Sequence, residues 1–196
     1  QLKHANLEGA YLYKADLRGA NLDRTNFRKA YLSKASMYGA SLRNADLSGA
    51  SLNEVILRGS QLQHATLTGA NLFRINLIAA KLYKAQLDYT DLTHAYLAFS
   101  DMTSTKLDHA SLWKADLTAA KLNSSSLRGA NLREANLGRA DLKYADLRNS
   151  DMTDADFRGA NLNSADLSSA ILRRANFSSF EMFIPIRTKL VGTDFR

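Results

Sequence analysis

Four histidines and nineteen acidic side chains are the residues of this 196-residue chain that could bind a metal ion or transfer protons. The histidines are His4, His64, His94 and His109, and the chain contains no cysteine. A metal site requires three or four ligands that converge on one point. The histidine spacing brings no such set together, so the sequence predicts no metal site and no thiolate chemistry.

The carboxylates do not form a catalytic pair either. The nearest approaches are Asp146 with Asp166, and Asp151 with Asp154. Carboxylates on a protein surface are usually solvated. The chain has neither a glycine-rich phosphate loop nor a Ser-His-Asp arrangement with useful spacing. We therefore expect a protein that is not an enzyme and that binds no cofactor.

A repeat of five residues positions all of these side chains. Stepping by five from Leu2 to Phe177 gives 36 positions, of which thirty are Leu, three are Phe and three are Met. A second column, Ala5 to Ala175, lies two residues before them and is Ala at 26 of 35 positions. This period matches neither an α-helix nor an ordinary strand. Because Ala-x-Leu spacing puts both side chains on one side of an extended segment, the pattern predicts a solenoid.

Individual repeats carry a family resemblance. The pattern A(D/N)LXX is matched by Ala15-Asp16-Leu17-Arg18-Gly19, Ala45-Asp46-Leu47-Ser48-Gly49 and Ala130-Asn131-Leu132-Arg133-Glu134. In this respect the chain resembles the pentapeptide repeat family over residues 1 to about 180. The resemblance implies an all-β fold, a right-handed quadrilateral parallel β-helix with about nine square coils of four pentapeptides. Leu and Ala side chains would then point inward.

The end of the chain departs from the repeat. Residues 1–177 are expected to form the β-helix, and residues 178–187 are an apolar insertion that could cap it. Residues 188–196 resume the pattern as a truncated repeat, with the register moved by three. Because both ends lie inside a running pattern, we expect the chain to be part of a longer protein.

Residues twenty apart should stack on adjacent coils, which divides the outside into four faces. Each face comprises the outward residue before a leucine and the two outward residues after it. We name the faces by their first leucines, so that the first, second, third and fourth faces start at Leu2, Leu7, Leu12 and Leu17.

Stacking also predicts contacts between coils and the shape of the turns. Glu8 lies beside Arg28, and Asp108 lies beside Arg128, so each pair is expected to attract. Glycine recurs at the second position after the leucine, as at Gly19, where a turn with positive φ is expected.

Outward aromatic and aliphatic side chains are concentrated in the middle of the chain. The subset expected to cluster, on the third and fourth faces, is Phe73, Ile78, Tyr96, Phe99 and Trp113. Exposed aromatic residues in such number indicate a contact surface, although scattered surface aromatics are the alternative. The leading hypothesis is a non-catalytic scaffold of bacterial type, a rigid rod that binds a protein partner whose identity the sequence does not give.

The charge supports a rival hypothesis. The chain has 26 basic and 19 acidic residues, a net charge of +7. The candidate basic patch is Lys14, Arg24, Arg28, Lys29 and Lys34. Such a patch can bind nucleic acid or an anionic membrane, but acidic residues interleave with most of the charge. The family resemblance implies a third possibility, a DNA mimic that inhibits a type II topoisomerase, which the basic charge disfavours.

Two expectations concern association and location. Unpaired strand edges at the ends of a solenoid favour a homodimer or end-to-end stacking. No apolar run is long enough for a membrane span or a signal-peptide core. This favours a cytoplasmic location while leaving the compartment open.

Overall fold

The computed structural model describes residues 2–177 and 191–194. Within these ranges every repeat has the same local structure: a single β-bridge residue, the leucine, a two-residue turn and the alanine-column residue. The strands are therefore isolated parallel bridges, from Asn6↔Asn26 through Asp156↔Asn176, with a last bridge at Ile171↔Asp194. No helix capable of spanning a membrane occurs among the described residues.

The bridges establish the size of a coil. Tyr11 pairs with Tyr31, and Tyr31 pairs in turn with Ser51, both in parallel. A constant offset of twenty residues means that four pentapeptides complete one coil. The number of nine coils remains a prediction.

Hydrogen bonds join each repeat to its neighbours along the axis. The amide of Leu22 donates to the carbonyl of Ser41 at 2.7 Å, and the amide of Arg24 donates to that of Arg43 at 2.9 Å. The amide of Thr25 donates to the carbonyl of Leu22 at 3.2 Å and closes the turn. The same pattern recurs along the tube, so the backbone of a coil is satisfied by the coils beside it.

The second residue of each turn has a left-handed backbone. All 35 of these positions from His4 to Arg174 have φ between 52° and 71°, and eight of them are glycine. A positive φ at the third residue of a four-residue turn is the requirement of type II. The predicted positive φ at the corner glycines is confirmed. The 27 non-glycine residues at this position also have a positive φ.

The leucine column and the alanine column form the core. From Leu22 to Leu147, every residue of the leucine column is completely buried. Where the alanine column carries a hydroxyl, that group bonds to the backbone: the Oγ of Ser60 donates to the carbonyl of Leu57 at 2.6 Å. The same bond forms at Thr90, Ser100, Thr105, Ser125 and Ser150. These bonds explain how polar side chains fit inside an apolar tube.

Residues 191–194 pair with the last coil. The amide of Leu172 donates to the carbonyl of Asp194 at 2.6 Å, and the amide of Asp194 donates to the carbonyl of Ala170 at 2.9 Å. Asp194 bridges Ile171 with an offset of 23 residues, three more than the offset within the repeat array. Thr193 takes the alanine position, and its Oγ1 donates to the carbonyl of Leu167 at 2.8 Å.

The predicted insertion at 178–187 lies outside the described residues. Of the predicted resumed repeat at 188–196, only residues 191–194 are described.

Candidate partner-binding surface

The turns present the outward chemistry of the molecule. The side chains of both turn residues are half-buried or exposed at every repeat, apart from those of Ala98 and Thr153. A functional surface on this fold is therefore built from the turn residues and from outward bridge residues such as Tyr96, which stack from coil to coil.

A column of aromatic groups runs along the third face across four adjacent coils. The rings of Phe73 and His94 meet edge to face with centroids 6.0 Å apart, and the His94 ring lies 5.5 Å from that of Trp113. The Nε1 of Trp113 then donates to Oε1 of Glu134 at 3.1 Å. We call these four residues the third-face column.

Two cations lie against the rings of this column. The guanidinium of Arg74 lies 5.2 Å from the centre of the Phe73 ring, and Nζ of Lys114 lies 4.6 Å from that of Trp113. Lys114 also pairs with Glu134 at 3.4 Å. The hydrogen bond from Trp113, followed by the interaction with Lys114, lowers the pKa of the Glu134 carboxyl. The third-face column is thus a row of aromatic rings in contact with two cations and one carboxylate.

The fourth face carries the most exposed part of the predicted patch. Tyr96 is 49% exposed and Phe99 is 66% exposed, whereas Ile78 is half-buried. Neither exposed ring contacts another ring among the described residues. The five predicted residues thus lie on two neighbouring faces, and among their aromatic rings Phe73 and Trp113 are linked through His94.

Sequence reasoning missed His94 as a member of this surface. It lies between Arg74 and Lys114 in its own column, and from the sequence alone this is an unfavourable place for a further cation. The structure shows contacts instead with Phe73 and Trp113, which precede those cations by one residue. The signal in the sequence is that aromatic residues alternate between the first and second turn positions in successive coils, at Phe73, His94 and Trp113.

Two of the other histidines, His64 and His109, also make aromatic contacts. His109 stacks on Tyr89 with centroids 5.2 Å apart, and His64 meets Tyr83 edge to face at 5.7 Å. In the described part of the chain, no group of three or more His, Asp or Glu side chains could hold a metal ion.

The acidic residues that came nearest to a catalytic pair each bond to another group. Asp146 pairs with Arg148 at 2.6 Å, and Asp154 pairs with Arg174 at 2.6 Å. Asp166 accepts a hydrogen bond from the hydroxyl of Ser168 at 2.6 Å. These carboxylates are therefore engaged in local surface hydrogen bonds and ion pairs.

The predicted ion pairs between coils have mixed outcomes. The pair of Asp108 with Arg128 is confirmed at 3.0 Å. The pair of Glu8 with Arg28 is wrong, because Arg28 reaches onward to Asp46 at 3.3 Å. Glu8 instead accepts a hydrogen bond from the side-chain amide of Asn26 at 3.2 Å. A long arginine side chain can reach several acidic groups, so the stacking of columns alone does not determine which of them it pairs with.

The candidate basic patch is dispersed around the tube. Its five residues, Lys14, Arg24, Arg28, Lys29 and Lys34, fall on the first three faces of the first two coils. Lys34 pairs with Glu54 at 3.6 Å. The positive charge is therefore spread over several directions and partly neutralised.

The family model for pentapeptide repeats matches residues 1–39, 35–72, 75–113, 100–139, 110–149 and 140–178. The chain therefore belongs to the pentapeptide repeat family. Its fold is the right-handed quadrilateral β-helix that the resemblance implied.

Several solved structures are similar to this chain. HetL, a pentapeptide repeat protein involved in heterocyst differentiation regulation in the cyanobacterium Nostoc sp. strain PCC 7120, is 33% identical, with 97% of this chain and 87% of HetL covered and a TM-score of 0.44. Trypsin-treated QnrB1, a plasmid-mediated fluoroquinolone resistance protein, is 17% identical over 92% of this chain and 89% of its own, with a TM-score of 0.49. A pentapeptide repeat protein of the Arabidopsis thaliana thylakoid lumen is 30% identical over 59% of this chain and 70% of its own, with a TM-score of 0.36. No curated protein matches the chain.

Proposed function

We propose that this protein is a non-catalytic scaffold whose third and fourth faces bind a protein partner. The observation that carries the proposal is the exposure of Tyr96 and Phe99 beside the third-face column. Aromatic side chains are enriched among the residues that dominate binding energy at protein interfaces. Their exposure on a folded surface leaves apolar area available for burial by a partner.

The rigidity of the tube favours such a role. Each turn is closed by its own hydrogen bond and joined to adjacent coils, so the backbone under Tyr96 and Phe99 is fixed before a partner arrives. Binding then requires little ordering of the scaffold, which reduces the entropic cost of association.

The same architecture supports a role without catalysis. A tube whose leucine column is completely buried from Leu22 to Leu147 leaves no internal cleft for substrate. On its surface, acids such as Asp146 and Asp154 are bound to arginine. A general acid or base requires an accessible group beside a bound substrate.

Capture from an extract of the cells that make the protein tests this function. The bait carries Tyr96→Ser with Phe99→Ser, and the matched control carries Tyr89→Ser with Tyr144→Ser. The control residues are 65% and 66% exposed but lie on the second and first faces. We expect the first bait to lose proteins that the control and the unmodified chain retain.

Salt separates this function from polyanion binding. Protein capture through aromatic groups should persist at high salt, whereas binding to nucleic acid falls steeply as salt rises. Equal capture by both baits would contradict the proposed surface. Retention of duplex DNA alone, and only at low salt, would favour the polyanion-binding alternative.

A further inference from the structure

A depression of about 560 Å³ lies on the fourth face, in the coils that follow Phe99. Its lining residues are Thr118, Asn136, Gly138, Arg139, Asp156, Arg158 and Gly159. The gap exists because Gly138 occupies a turn position that carries a side chain in the other coils. Those residues are Arg18, Tyr38, Arg58, Ile78, Ala98, Thr118 and Arg158.

The hydrogen-bond acceptors of this depression are already in use. The carboxylate of Asp156 accepts hydrogen bonds from three groups of Arg158. The backbone amide lies at 3.0 Å, Nε lies 2.9 Å from each carboxylate oxygen, and Nη2 lies at 2.6 Å. The single N–H of Nε is shared between the two oxygens, so three donors occupy most of the about four lone-pair sites of the carboxylate. The Oδ1 of Asn136 accepts from the amide of Gly138 at 3.0 Å.

The donors, by contrast, have capacity left. Within the described residues, no hydrogen bond uses the guanidinium of Arg139, the side-chain amide Nδ2 of Asn136 or Nη1 of Arg158. A depression whose carboxylate is already paired with an arginine and whose other donors are unused is suited to a ligand that accepts hydrogen bonds and carries negative charge.

Arg139 differs from its neighbours in this part of the chain. From Arg128 onward, the other described arginines form ion pairs with aspartate. Arg139 has no ion pair within residues 2–177 and 191–194, and its side chain is exposed. The guanidinium fork therefore remains available for bidentate recognition of a carboxylate.

We propose that this depression binds the carboxylate of a glutamate or aspartate side chain on a protein partner, with Arg139 as the principal contact and Asn136 as a second donor. The proposal rests on the proposed function because it assumes that the carboxylate belongs to a protein partner. A protein source is supported because the depression and the exposed Phe99 lie on the same face. Gly138 is two coils, or about 10 Å along the axis, from Ala98, the residue next to Phe99. One partner can thus place an apolar group on Phe99 and an acid on Arg139.

The test follows the amide signals of Asn136 and Arg139 by NMR during titration of the full chain. The probes are the capped tripeptide Leu-Glu-Leu, its Leu-Gln-Leu twin and inorganic phosphate. We expect the glutamate peptide to shift both signals and the glutamine twin to leave them in place. Arg139→Gln should weaken binding at least about tenfold, the order expected for a lost charge-assisted hydrogen bond.

Two further variants locate the site and control for charge. Gly138→Ile fills the depression and reproduces the local sequence at Ile78, whose amide donates to Asn76 in the same way at 3.2 Å. It should abolish the shifts at an unchanged melting temperature. Arg24→Gln removes an exposed arginine with a φ of 58°, close to the 59° of Arg139, and should bind as the unmodified chain does.

Three outcomes would overturn the proposal. They are equal shifts with the glutamine twin, equal affinity in Arg139→Gln, and tighter binding of phosphate than of the glutamate peptide, which would indicate a site for free anions. Because this titration uses no natural partner, its failure leaves the capture result at Tyr96 and Phe99 intact. A failed capture with a successful titration would instead remove the proposed function and keep a carboxylate site.

Discussion

Single residues in this protein have roles set by their position within the pentapeptide. The leucine position is buried and must be apolar, whereas the next two positions face outward and accept charge. Leu72 is completely buried and Phe73 is half-buried, although they are adjacent in the chain. Burial of an unpaired charge costs several kcal/mol, so the consequence of a substitution depends on its place in the repeat.

Replacing Leu72 by Asp should lower the free energy of unfolding by more than about 4 kcal/mol, because it buries an unpaired carboxylate. The matched change Phe73→Asp removes the ring contacts with His94 and Arg74 and should cost about 1–2 kcal/mol. Thermal unfolding followed by circular dichroism measures both. Similar melting temperatures for the two variants would show that the inward and outward positions are misassigned.

The third-face column predicts a pH-dependent signal from Trp113, the single tryptophan. The Trp113 hydrogen bond lowers the pKa of Glu134 below its ordinary value of 4.5. A lowered folded-state pKa means that the contact persists above the ordinary value and is lost as pH falls through the lowered one. Tryptophan fluorescence should therefore change with a midpoint below pH 4.5.

Two variants assign that transition. Glu134→Gln should remove it, and His94→Gln should keep it, because only the first abolishes the carboxylate. A transition that survives in Glu134→Gln would mean that another group near Trp113 titrates.

The sequence predicted the columns of the core but only part of the surface. Burial at Leu72 follows from volume and polarity, which the residue type reveals directly. The contact of His94 with Phe73 and Trp113 depends on side-chain rotamers and on an offset of about one coil, which a column map does not contain. The missing side chain at Gly138 is visible in the sequence, but the unused donors around it depend on side-chain hydrogen bonds that a column map does not contain.

At the scale of the element, the turn is the unit that the sequence must encode. Its second residue is left-handed at all 35 positions from His4 to Arg174, yet only eight of these are glycine. None of the others is Val, Ile, Thr or Pro. The first turn position, in contrast, includes Ile78, Thr93 and Thr118. This exclusion of β-branched residues is a sequence signal for the left-handed turn, independent of glycine.

Ala79 provides a direct test of the turn, since its φ is 56°. Ala79→Val should lower the free energy of unfolding by about 1–3 kcal/mol through backbone strain. Ala79→Gly should change it by less than about 1 kcal/mol, since relief of strain is offset by the entropy of the unfolded chain. Chemical denaturation gives both values.

Ile78→Val is the matched control for Ala79→Val. It introduces the same side chain one residue earlier, at a position that already holds a β-branched residue. We expect a loss of about 1 kcal/mol or less. If valine were tolerated equally at the two positions, backbone strain would not be what restricts the second turn position.

At the scale of the whole molecule, stability is built from contacts between adjacent coils. Ion pairs such as Lys34 with Glu54 and Lys114 with Glu134 connect one coil to the next. The backbone hydrogen bonds do the same at every repeat. In such a solenoid, each coil depends on its immediate neighbours. The last described coil contacts residues 191–194, which continue the pairing at Ile171 through Asp194.

A chain that ends at Ser178 should therefore melt at a lower temperature and self-associate. Removing Asp194 frees the amide of Leu172 and the carbonyl of Ala170, and it deprives Arg173 of a pair at 2.8 Å. An unpaired strand edge is a template for a second chain. Asp194→Asn is the control, because it weakens the Arg173 pair but keeps the backbone bonds.

Light scattering and thermal unfolding separate the contributions of backbone and side chain in this experiment. If backbone pairing by residues 191–194 protects the edge, the shortened chain forms larger species while Asp194→Asn remains as monodisperse as the unmodified protein. An exposed ion pair contributes little, so Asp194→Asn should melt close to the unmodified chain. A shortened chain with an unchanged melting temperature and unchanged scattering mass would show that residues 179–196 are a passive tail, and that the coil ending near Phe177 needs no cover.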